Sequence, residues 1–228
     1  MICGRFEHPP SACFDEIDAA VRAMTDRVVC FNAHAFPAPP GATIFNTENL
    51  PEQVPDWKER FAGHELWDMS ARNCALTGAK HVPIGYHPSM TRFERAPVLD
   101  IDVIFTGSMN ERRRVVLQAL ADKGLKVVHV GPGTYGAARD AQLARAKLAL
   151  NMLFYEDGVF PSLRVAHLIA NRVPVLSEYA HEAPAWSGSS VDYRSLVEVA
   201  RAYLADHFDD DVHVRLDAFR ACPMALPS

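Results

Sequence analysis

The second half of the chain alternates short apolar runs with amphipathic stretches, and this alternation constrains the fold more than any other feature. The apolar runs have the length of buried strands, and the stretches between them carry apolar residues at helical spacing. The predicted strands are residues 101–105, 126–130, 148–153 and 174–176, and the predicted helices are residues 110–123, 137–146, 162–170 and 191–207. Because helices follow the strands in turn, we expect parallel strands with right-handed crossovers in a doubly wound α/β sheet.

The first half follows a related order with more interruptions. Residues 27–31 and 42–45 are predicted to be strands, and residues 65–76 are predicted to form one helix that Gly78 ends. An apolar stripe predicts an earlier helix and consists of Phe14, Ile17, Val21 and Met24. A short apolar start at residues 1–6 is a further candidate strand, and the resulting order strand, helix, strand, strand is again typical of a parallel sheet.

Two lobes of unequal size are expected. The chain has 228 residues, which is about one and a half domains at roughly 150 residues per domain. Residues 87–99 have no apolar periodicity and are interpreted as a linker. We therefore predict a reduced N-terminal lobe of residues 1–96 and a C-terminal Rossmann-like lobe of residues 97–228.

Composition and charge exclude several classes of protein. Apolar residues make up 49% and charged residues 22%, which is ordinary for a globular chain and excludes a disordered or fibrous one. The net charge of −5 argues against general nucleic-acid binding, which needs a basic surface. No window of about 18 apolar residues predicts a membrane span, and the first ten residues lack the apolar stretch of a signal peptide.

The cysteines argue against disulfides and zinc. There are five of them, widely spaced and without a CxxC pair. We expect a reducing, cytoplasmic compartment in which the thiols serve as small apolar side chains. The sequence predicts no bound metal, whether through a DxD motif or through a His/Asp cluster at ligand spacing.

In a doubly wound sheet, ligands bind at the carboxyl ends of the strands. After the first predicted strand of this half, Gly107 and Ser108 precede a helix that begins with Arg112, Arg113 and Arg114. Positive charge opposes the dipole of a helix N-terminus, so a cluster there favours an anionic ligand over a merely solvated first turn. The spacing is neither a Walker loop nor a complete dinucleotide fingerprint.

The later loops add donors and one carboxylate. The segment from Val130 to Tyr135 is either a loop that contacts the base or sugar edge of a ligand or a plain turn, and the residues favour neither reading over the other. Ser162 is predicted to cap the next helix, with Arg164 in its first turn bound either to a phosphate or to a neighbouring acid. Glu178, after the last strand, either accepts hydrogen bonds from vicinal hydroxyls or is an exposed loop residue.

Two segments carry a resemblance to a known family. The run DVIFTGSMNERR at residues 102–113 and the run VPVLSE at residues 173–178 resemble the donor-binding lobe of GT-B glycosyltransferases, closest to the spore-maturation-type group. Shorter motifs within residues 46–86 resemble the hinge side of that group. The resemblance covers roughly residues 42–180 and depends on the order of these motifs. It implies two Rossmann-like lobes and transfer of a sugar from a nucleotide-diphosphate sugar, as a UDP-sugar, to a hydroxyl acceptor, without an essential metal or other cofactor.

The resemblance also implies roles for particular residues. The diphosphate would contact the loop and helix at Gly107, the base would face the loop at Gly131, and ribose or sugar would lie near Glu178. The predicted donor-binding residues are Gly107, Ser108, Asn110, Arg112, Arg113, Gly131, Tyr135, Ser162, Arg164 and Glu178. Two positions depart from the family pattern, because Pro161 and His167 stand where many relatives have glutamates.

Catalysis with inversion needs a base within reach of the acceptor hydroxyl. His8 and His34, each after a predicted strand, are candidates, and Glu48 and Asp68 are the carboxylate options. Retention needs no such base, and the sequence leaves the stereochemistry open. The acceptor is also open, whether small molecule, glycan, protein or modified nucleic-acid base, and an oligomer or partner is a candidate for completing the short lobe.

Two other functions remain in competition. One is a non-catalytic nucleotide-sugar or nucleotide-binding module built on a degenerate GT-B lobe, favoured by Pro161, His167 and the short first lobe. The other is a Rossmann-like oxidoreductase or methyltransferase, because Gly131, Gly133 and Gly136 have GxGxxG spacing. The acidic residue that this fingerprint requires about 20 residues later falls in a loop, so the second option ranks last.

Overall fold

The computed structural model describes residues 15–31, 33–206 and 210–227, so the candidate strand at residues 1–6 lies outside the described residues. Two parallel β-sheets and the helices that cover them make up this part of the chain, so the predicted α/β class is confirmed. The strands are β1 Val29–Cys30, β2 Thr43–Asn46, β3 Glu65–Asp68, β4 Lys80–His81, β5 Ile101–Thr106, β6 Val127–Val130, β7 Ala146–Asn151, β8 Val175–Glu178 and β9 Ser190–Val191. The helices are α1 Asp15–Met24, α2 Trp57–Arg60, α3 Ala71–Thr77, α4 Glu111–Asp122, α5 Gly136–Leu143, α6 Ser162–Ala170, α7 Leu196–Asp206 and α8 Asp210–Arg220.

The second sheet has the strand order β6-β5-β7-β8-β9, and all its neighbours are parallel. Both faces are covered, as the apolar character of its strands requires. On one face Val103 and Phe105 of β5 belong to a core cluster with Leu120 of α4 and Leu196 of α7. On the other face Ile104 joins a cluster that includes residues of α6. The predicted strand and helix rhythm of this half is therefore confirmed, with ends shifted by a few residues.

The first sheet has the order β1-β2-β3-β4 and is smaller. Every residue of β2 is buried. Phe45 of β2 packs against Phe31 at a centroid distance of 5.3 Å and against Trp67 of β3 at 6.3 Å. These rings belong to the same core cluster as Ile104, so the two sheets share apolar packing. The sheets lie on either side of residue 97 in sequence, and the lobe boundary there stays a prediction.

The single helix predicted for residues 65–76 is wrong. Its first part is strand β3, in which Trp67 pairs with Phe45 of β2, and only its second part is helical. Helix α3 begins after Ser70, whose hydroxyl accepts the N–H of Asn73. Pairing with the buried strand β2 outweighs the local helical pattern, which is a weak determinant beside tertiary contacts. The predicted helix end is confirmed, because Gly78 has φ +75° at the cap position.

The C-terminal region is also more divided than predicted. The expected helix over 191–207 starts only at Leu196, because strand β9 and a 3₁₀ turn precede it. Helix α8 was not predicted, and its Phe219 packs against Trp186 at a centroid distance of 4.5 Å. The segment after it returns to the first half of the chain, where Met224 N donates to the carbonyl of Tyr86. A Cβ on Gly85 would lie 2.6 Å from the carbonyl oxygen of Cys222, so this return requires glycine.

The predicted linker is fastened to helix α6. Asn171, just after this helix, accepts the N–H groups of Arg92 and Phe93 at 2.6 and 3.1 Å and donates to the carbonyl of Met90 at 2.9 Å. The linker therefore follows a defined path beside the second sheet. Among the helices of the described ranges, none is long and apolar enough to cross a bilayer.

Candidate functional site

A cleft lies between the loops at the carboxyl ends of the two sheets. Its main cavity, which we call the first cavity, has a volume of about 480 Å³. One wall comes from the loop after β2, a second from the β5–α4 region, and a third from the loop after β7 and the start of α6. The lining residues are Thr47, Glu48, Asn49, Gln53, Met69, Gly107, Ser108, Arg113, Leu153, Phe154, Tyr155, Val159, Pro161, Leu163 and Arg164.

A second cavity of about 230 Å³ adjoins the first. Its walls are the loop after β6, helix α5 and the middle of α6. The two cavities share Gly107, Ser108 and Arg164, which therefore stand at their junction. Gly131 and Tyr135 line the second cavity, so the structure brings these two predicted residues together with the β5–α4 loop.

The backbone at this junction requires glycine at position 107. Its φ of +132° lies in a region that other residues rarely adopt, and a Cβ there would lie 3.0 Å from Nη2 of Arg164. Glycine thus lets the backbone turn after β5 and lie directly against the guanidinium.

Arg113 is a buried cation at the first cavity. Its Nη1 and Nη2 donate to the carbonyls of Ser108 at 2.7 Å and Met152 at 2.6 Å, while its Nε has no partner. The guanidinium lies between the rings of Phe105 and Phe154, at 4.9 and 5.1 Å from their centroids. Burial and the charges of Arg164 and Arg112 lower the pKa of Arg113 to about 9, although the carboxylate of Glu178 opposes this. The side chain thus remains a cation at neutral pH.

Arg164 stands beside it in the first turn of α6. Its Nη1 donates to Oδ1 of Asn151 at 3.2 Å, and its guanidinium lies 5.6 Å from the centroid of Phe105. Burial lowers the pKa of Arg164 to about 10. The predicted alternative, an ion pair with Glu156 or Asp157, is absent, and within the part of the chain that the structure describes neither arginine forms any ion pair. Two cations that line a cavity and form no ion pair are suited to an anion.

Arg112 and Glu178, in contrast, neutralise each other. The guanidinium binds the carboxylate through two hydrogen bonds, one of them Nη1 to Oε2 at 2.7 Å. Glu178 also accepts the N–H of Leu153 at 2.9 Å, and Arg112 stacks on Tyr193 at 3.8 Å from the ring centroid. Neither residue is among those that line the two cavities. Their predicted contacts with a donor stay predictions and would require this pair to rearrange.

Asn110 and Ser162 have local contacts beside the site. Asn110 caps helix α4 by accepting the N–H of Arg113 at 3.0 Å and donates to the carbonyl of Phe154 at 2.8 Å. Ser162 was expected to cap helix α6, but Pro161 holds that position and no side chain accepts a capping hydrogen bond. Ser162 is instead the buried first residue of the helix. Contact of either residue with a donor stays a prediction.

The second cavity ends in a charged cluster. His167 Nε2 lies 2.9 Å from Oδ1 of Asp140, and Arg139 lies within 3.2 Å of both side chains. Burial raises the pKa of the Asp140 carboxyl, but the His167 hydrogen bond and the Arg139 charge outweigh it, so the pKa lies below its usual value. A carboxylate from α5 thus stands beside His167, one of the two positions where relatives of the suspected family have an acid.

The fold places the candidate bases that the structure describes in different surroundings. Glu48 lines the first cavity, and His34 lies behind it with Nδ1 at 3.9 Å from Oε1 of Glu48. Burial raises the pKa of Glu48, although His34, Thr47 and Gln53 oppose this. Asp68 is fully buried away from the cavity, and His8 lies outside the described residues.

Sequence reasoning missed several residues of the cleft. Asn49, Gln53, Phe154 and Tyr155 all line the first cavity, and Asp140 lies behind the second. The position of Phe154 and Tyr155 just after a predicted strand was the available signal. Asp140 offered none, because its partner His167 is 27 residues away on another helix.

Comparison with protein families finds no family model that matches the chain. Three uncharacterized proteins of Acanthamoeba polyphaga mimivirus are similar, each at 26% identity. The matches to L137, L138 and L140 cover 59%, 65% and 59% of this chain and 20%, 18% and 48% of the respective relatives. The chain therefore spans between about a fifth and a half of the length of the curated relatives it matches.

Solved structures give a clearer likeness. AviGT4, a glycosyltransferase involved in avilamycin A biosynthesis, superposes with a TM-score of 0.53 at 17% identity, over 92% of this chain and 72% of that one. The accessory secretory proteins 1, 2 and 3 of Streptococcus pneumoniae give a TM-score of 0.44 at 10% identity, over 90% and 52%. With its two parallel sheets and the cleft between them, the chain has a GT-B-like fold.

Proposed function

We propose that this protein is a glycosyltransferase that moves a sugar from a nucleotide-diphosphate sugar to a hydroxyl acceptor. The observation that carries the proposal is the junction of the two cavities, where the buried Arg113 and the partly buried Arg164 lie without an ion pair among the described residues. A ligand with a diphosphate in its middle and a group at each end suits this arrangement. The order of the sequence motifs favours the spore-maturation-type group, and the cysteine pattern favours the cytoplasm.

The donor would lie across the junction. Its diphosphate would contact the backbone at Gly107 and Ser108 and the guanidinium groups of Arg113 and Arg164. Its nucleoside, uridine in our proposal, would occupy the second cavity beside Gly131 and Tyr135, and its sugar would occupy the first cavity. Charge-assisted hydrogen bonds to a phosphate are shorter and stronger than neutral ones, and they would offset the cost of burying both arginines.

The reaction exchanges one bond of the anomeric carbon for another. The bond to the diphosphate oxygen breaks, its electron pair stays on the diphosphate, and the acceptor oxygen bonds to the same carbon. Among the residues that line the first cavity, Glu48 carries the only carboxyl group, so we propose that it takes up the hydroxyl proton. Its raised pKa brings its proton affinity closer to that needed near neutral pH. His34 would position this carboxyl.

A non-catalytic nucleotide-sugar-binding module is the second candidate. It is favoured by the engagement of Glu178 with Arg112 and Leu153, which withdraws one predicted donor contact from the cleft. Pro161 and His167, at the other two acidic positions of the suspected family, add to this loss. Such a module would bind the donor at the same junction and never turn it over.

A thermal-shift screen of UDP-, GDP- and dTDP-sugars tests the proposal. A ligand at 100 times its dissociation constant adds about 2.7 kcal/mol, which corresponds to roughly 5–10 °C for a chain of this size. Arg113→Met with Arg164→Met should abolish the shift. Arg114→Met is the matched control, since Arg114 is exposed and paired with Glu111.

Turnover then separates the two candidates. Release of nucleoside diphosphate in the presence of an acceptor supports the transferase, while saturable binding without release, across all acceptors, supports the module. The absence of a shift with every sugar nucleotide contradicts both.

A further inference from the structure

Two partly exposed aromatic side chains, Phe154 and Tyr155, line the first cavity, and the ring of Phe154 also packs on the guanidinium of Arg113. Phe154 and Tyr155 are each 37% exposed and pack edge to face at a centroid distance of 5.0 Å. Large aromatic side chains in a cavity offer a rigid contact surface at a low cost in conformational entropy. A partly hydrated pair of this kind indicates a ligand with an apolar face.

The loop that carries this aromatic pair is fastened on both sides. Asn110 Nδ2 donates to the carbonyl of Phe154 at 2.8 Å, and Arg72 Nη1 donates to the carbonyl of Asp157 at 2.7 Å. Oδ1 of Asn49 accepts the N–H of Val159. These contacts come from both halves of the chain, so the aromatic pair is held ready before a ligand arrives.

The wall from the loop after β2 has a different chemistry. It presents the hydroxyl of Thr47, the carboxyl of Glu48 and the amides of Asn49 and Gln53. Such groups donate to and accept from hydroxyls, and none of these four carries a positive charge. A phosphate there would be repelled by the carboxyl of Glu48, whereas a neutral ligand with several hydroxyls could form hydrogen bonds with all these groups.

From these two walls we propose that the acceptor is a neutral saccharide. Its ring would place the C–H face on Phe154 and Tyr155 and direct its hydroxyls to Glu48, Asn49 and Gln53. The cavity volume of about 480 Å³ lies in the range of sites for small ligands, which disfavours a folded protein surface. A nucleic acid would need cations along its backbone, which this wall does not supply. The inference rests on the proposed function, whose donor it shares.

The test measures transfer from whichever sugar nucleotide binds. Neutral saccharides (glucose, galactose, N-acetylglucosamine and maltose) are compared with a serine- and threonine-containing peptide and with DNA that carries hydroxymethylated bases. At least one saccharide should raise nucleoside diphosphate release about tenfold above donor hydrolysis. Transfer to the peptide or the DNA alone would overturn the inference and leave the proposed function intact.

Variants locate the saccharide. Phe154→Ala and Tyr155→Ala should each raise the KM for the saccharide roughly tenfold, the loss expected for one aromatic contact. The dissociation constant for the donor should stay unchanged in Tyr155→Ala, whereas Phe154→Ala also removes a ring from Arg113. Tyr179→Ala is the matched control, because Tyr179 is 56% exposed and does not line the cavity. An unchanged KM in both cavity variants contradicts the inference.

Saturation-transfer NMR of the donor-free protein with the same saccharides gives a second readout. Contact signals that vanish in the Phe154→Ala, Tyr155→Ala double variant support a saccharide site even where no donor is turned over. Contact signals that persist in it place the saccharide elsewhere and reject the site.

Discussion

Arg112 and Arg113 are neighbours in the first turn of helix α4, and their surroundings differ. Arg112 is paired with Glu178 through two hydrogen bonds and lies on the ring of Tyr193. Arg113, the next residue, and Arg164 across the cleft have only neutral partners and face the cavities. The first region holds the loops of the second sheet together, whereas the second keeps unpaired positive charge at the junction.

This difference separates charges that serve folding from charges that serve a ligand. A cation in a partly buried place without an ion pair costs stability, and in the proposed function the donor phosphates would offset this cost. A neutralised pair has no need of a ligand. We therefore expect variants in the first region to affect the free energy of unfolding and variants in the second to affect binding and turnover.

Glu48→Gln should produce the largest effect, because among the described residues it removes the only carboxyl that lines the first cavity. We expect transfer to fall about 100- to 10,000-fold, the usual contribution of a general base, with the donor dissociation constant unchanged. Single-turnover kinetics with saturating donor measures this. A rate within threefold of the native one would mean that the departing diphosphate, rather than Glu48, takes up the proton of the acceptor hydroxyl.

Glu178→Ala should have the next largest effect, on stability. It leaves the guanidinium of Arg112 without its counter-ion and the N–H of Leu153 without its acceptor, and a broken buried pair costs about 3–5 kcal/mol. Urea unfolding measures the loss. Arg112→Met in the same chain should recover part of it. If both variants unfold like the native protein, the two regions do not differ in the way proposed.

Arg164→Met should show the reverse pattern. A charge-assisted hydrogen bond contributes about 1.5–3 kcal/mol, so donor affinity should fall roughly 10- to 150-fold. The free energy of unfolding should change by less than about 1 kcal/mol, because the charge that is removed is partly buried and has no ion-pair partner among the described residues. Isothermal titration with the donor and urea unfolding of the same preparation test both halves. A loss of stability with unchanged affinity would place Arg164 with the structural charges.

Asp68 offers the smallest and most specific test, through pH. Burial raises its pKa to about 6, against hydrogen bonds from Asn46, Ser70 and Asn73 that lower it. Between the model-peptide value of 3.8 and about 6, the folded protein keeps a proton that the unfolded chain releases. Stability should therefore fall as pH rises through this window, by at most about 1.4 kcal/mol per pH unit. Asp68→Asn should flatten this part of the pH profile, and an identical slope would reject the assignment.

Much of the second sheet was predictable because its elements are long and regular. The apolar runs behind β5 and β7, and the amphipathic stretch of α4, match their final bounds within about two residues. Where the pattern was shorter, prediction was wrong, as for residues 65–76, in which Trp67 and Asp68 belong to a strand. Short segments carry too little periodicity to separate strand from helix, and the partner strand decides.

The candidate site divides in the same way. The glycine after β5, the arginine cluster and the loop after β6 were visible because the carboxyl ends of parallel strands collect ligands. The sequence could not tell Arg112 from Arg113, since both follow the same cap within one turn. Nor could it bring Glu48 from the first sheet into one cavity with Arg164.

The sequence by itself thus determined the α/β class, the rhythm of the second sheet and the loops at the carboxyl ends of its strands, because these depend on local periodicity and on glycine. Only the tertiary structure decided which charges are neutralised and which face a cavity. That distinction depends on distances between residues such as Arg112 and Glu178, 66 positions apart. Burial makes such distances decisive, because the same charge that water would screen must find a partner inside the fold or bind a ligand.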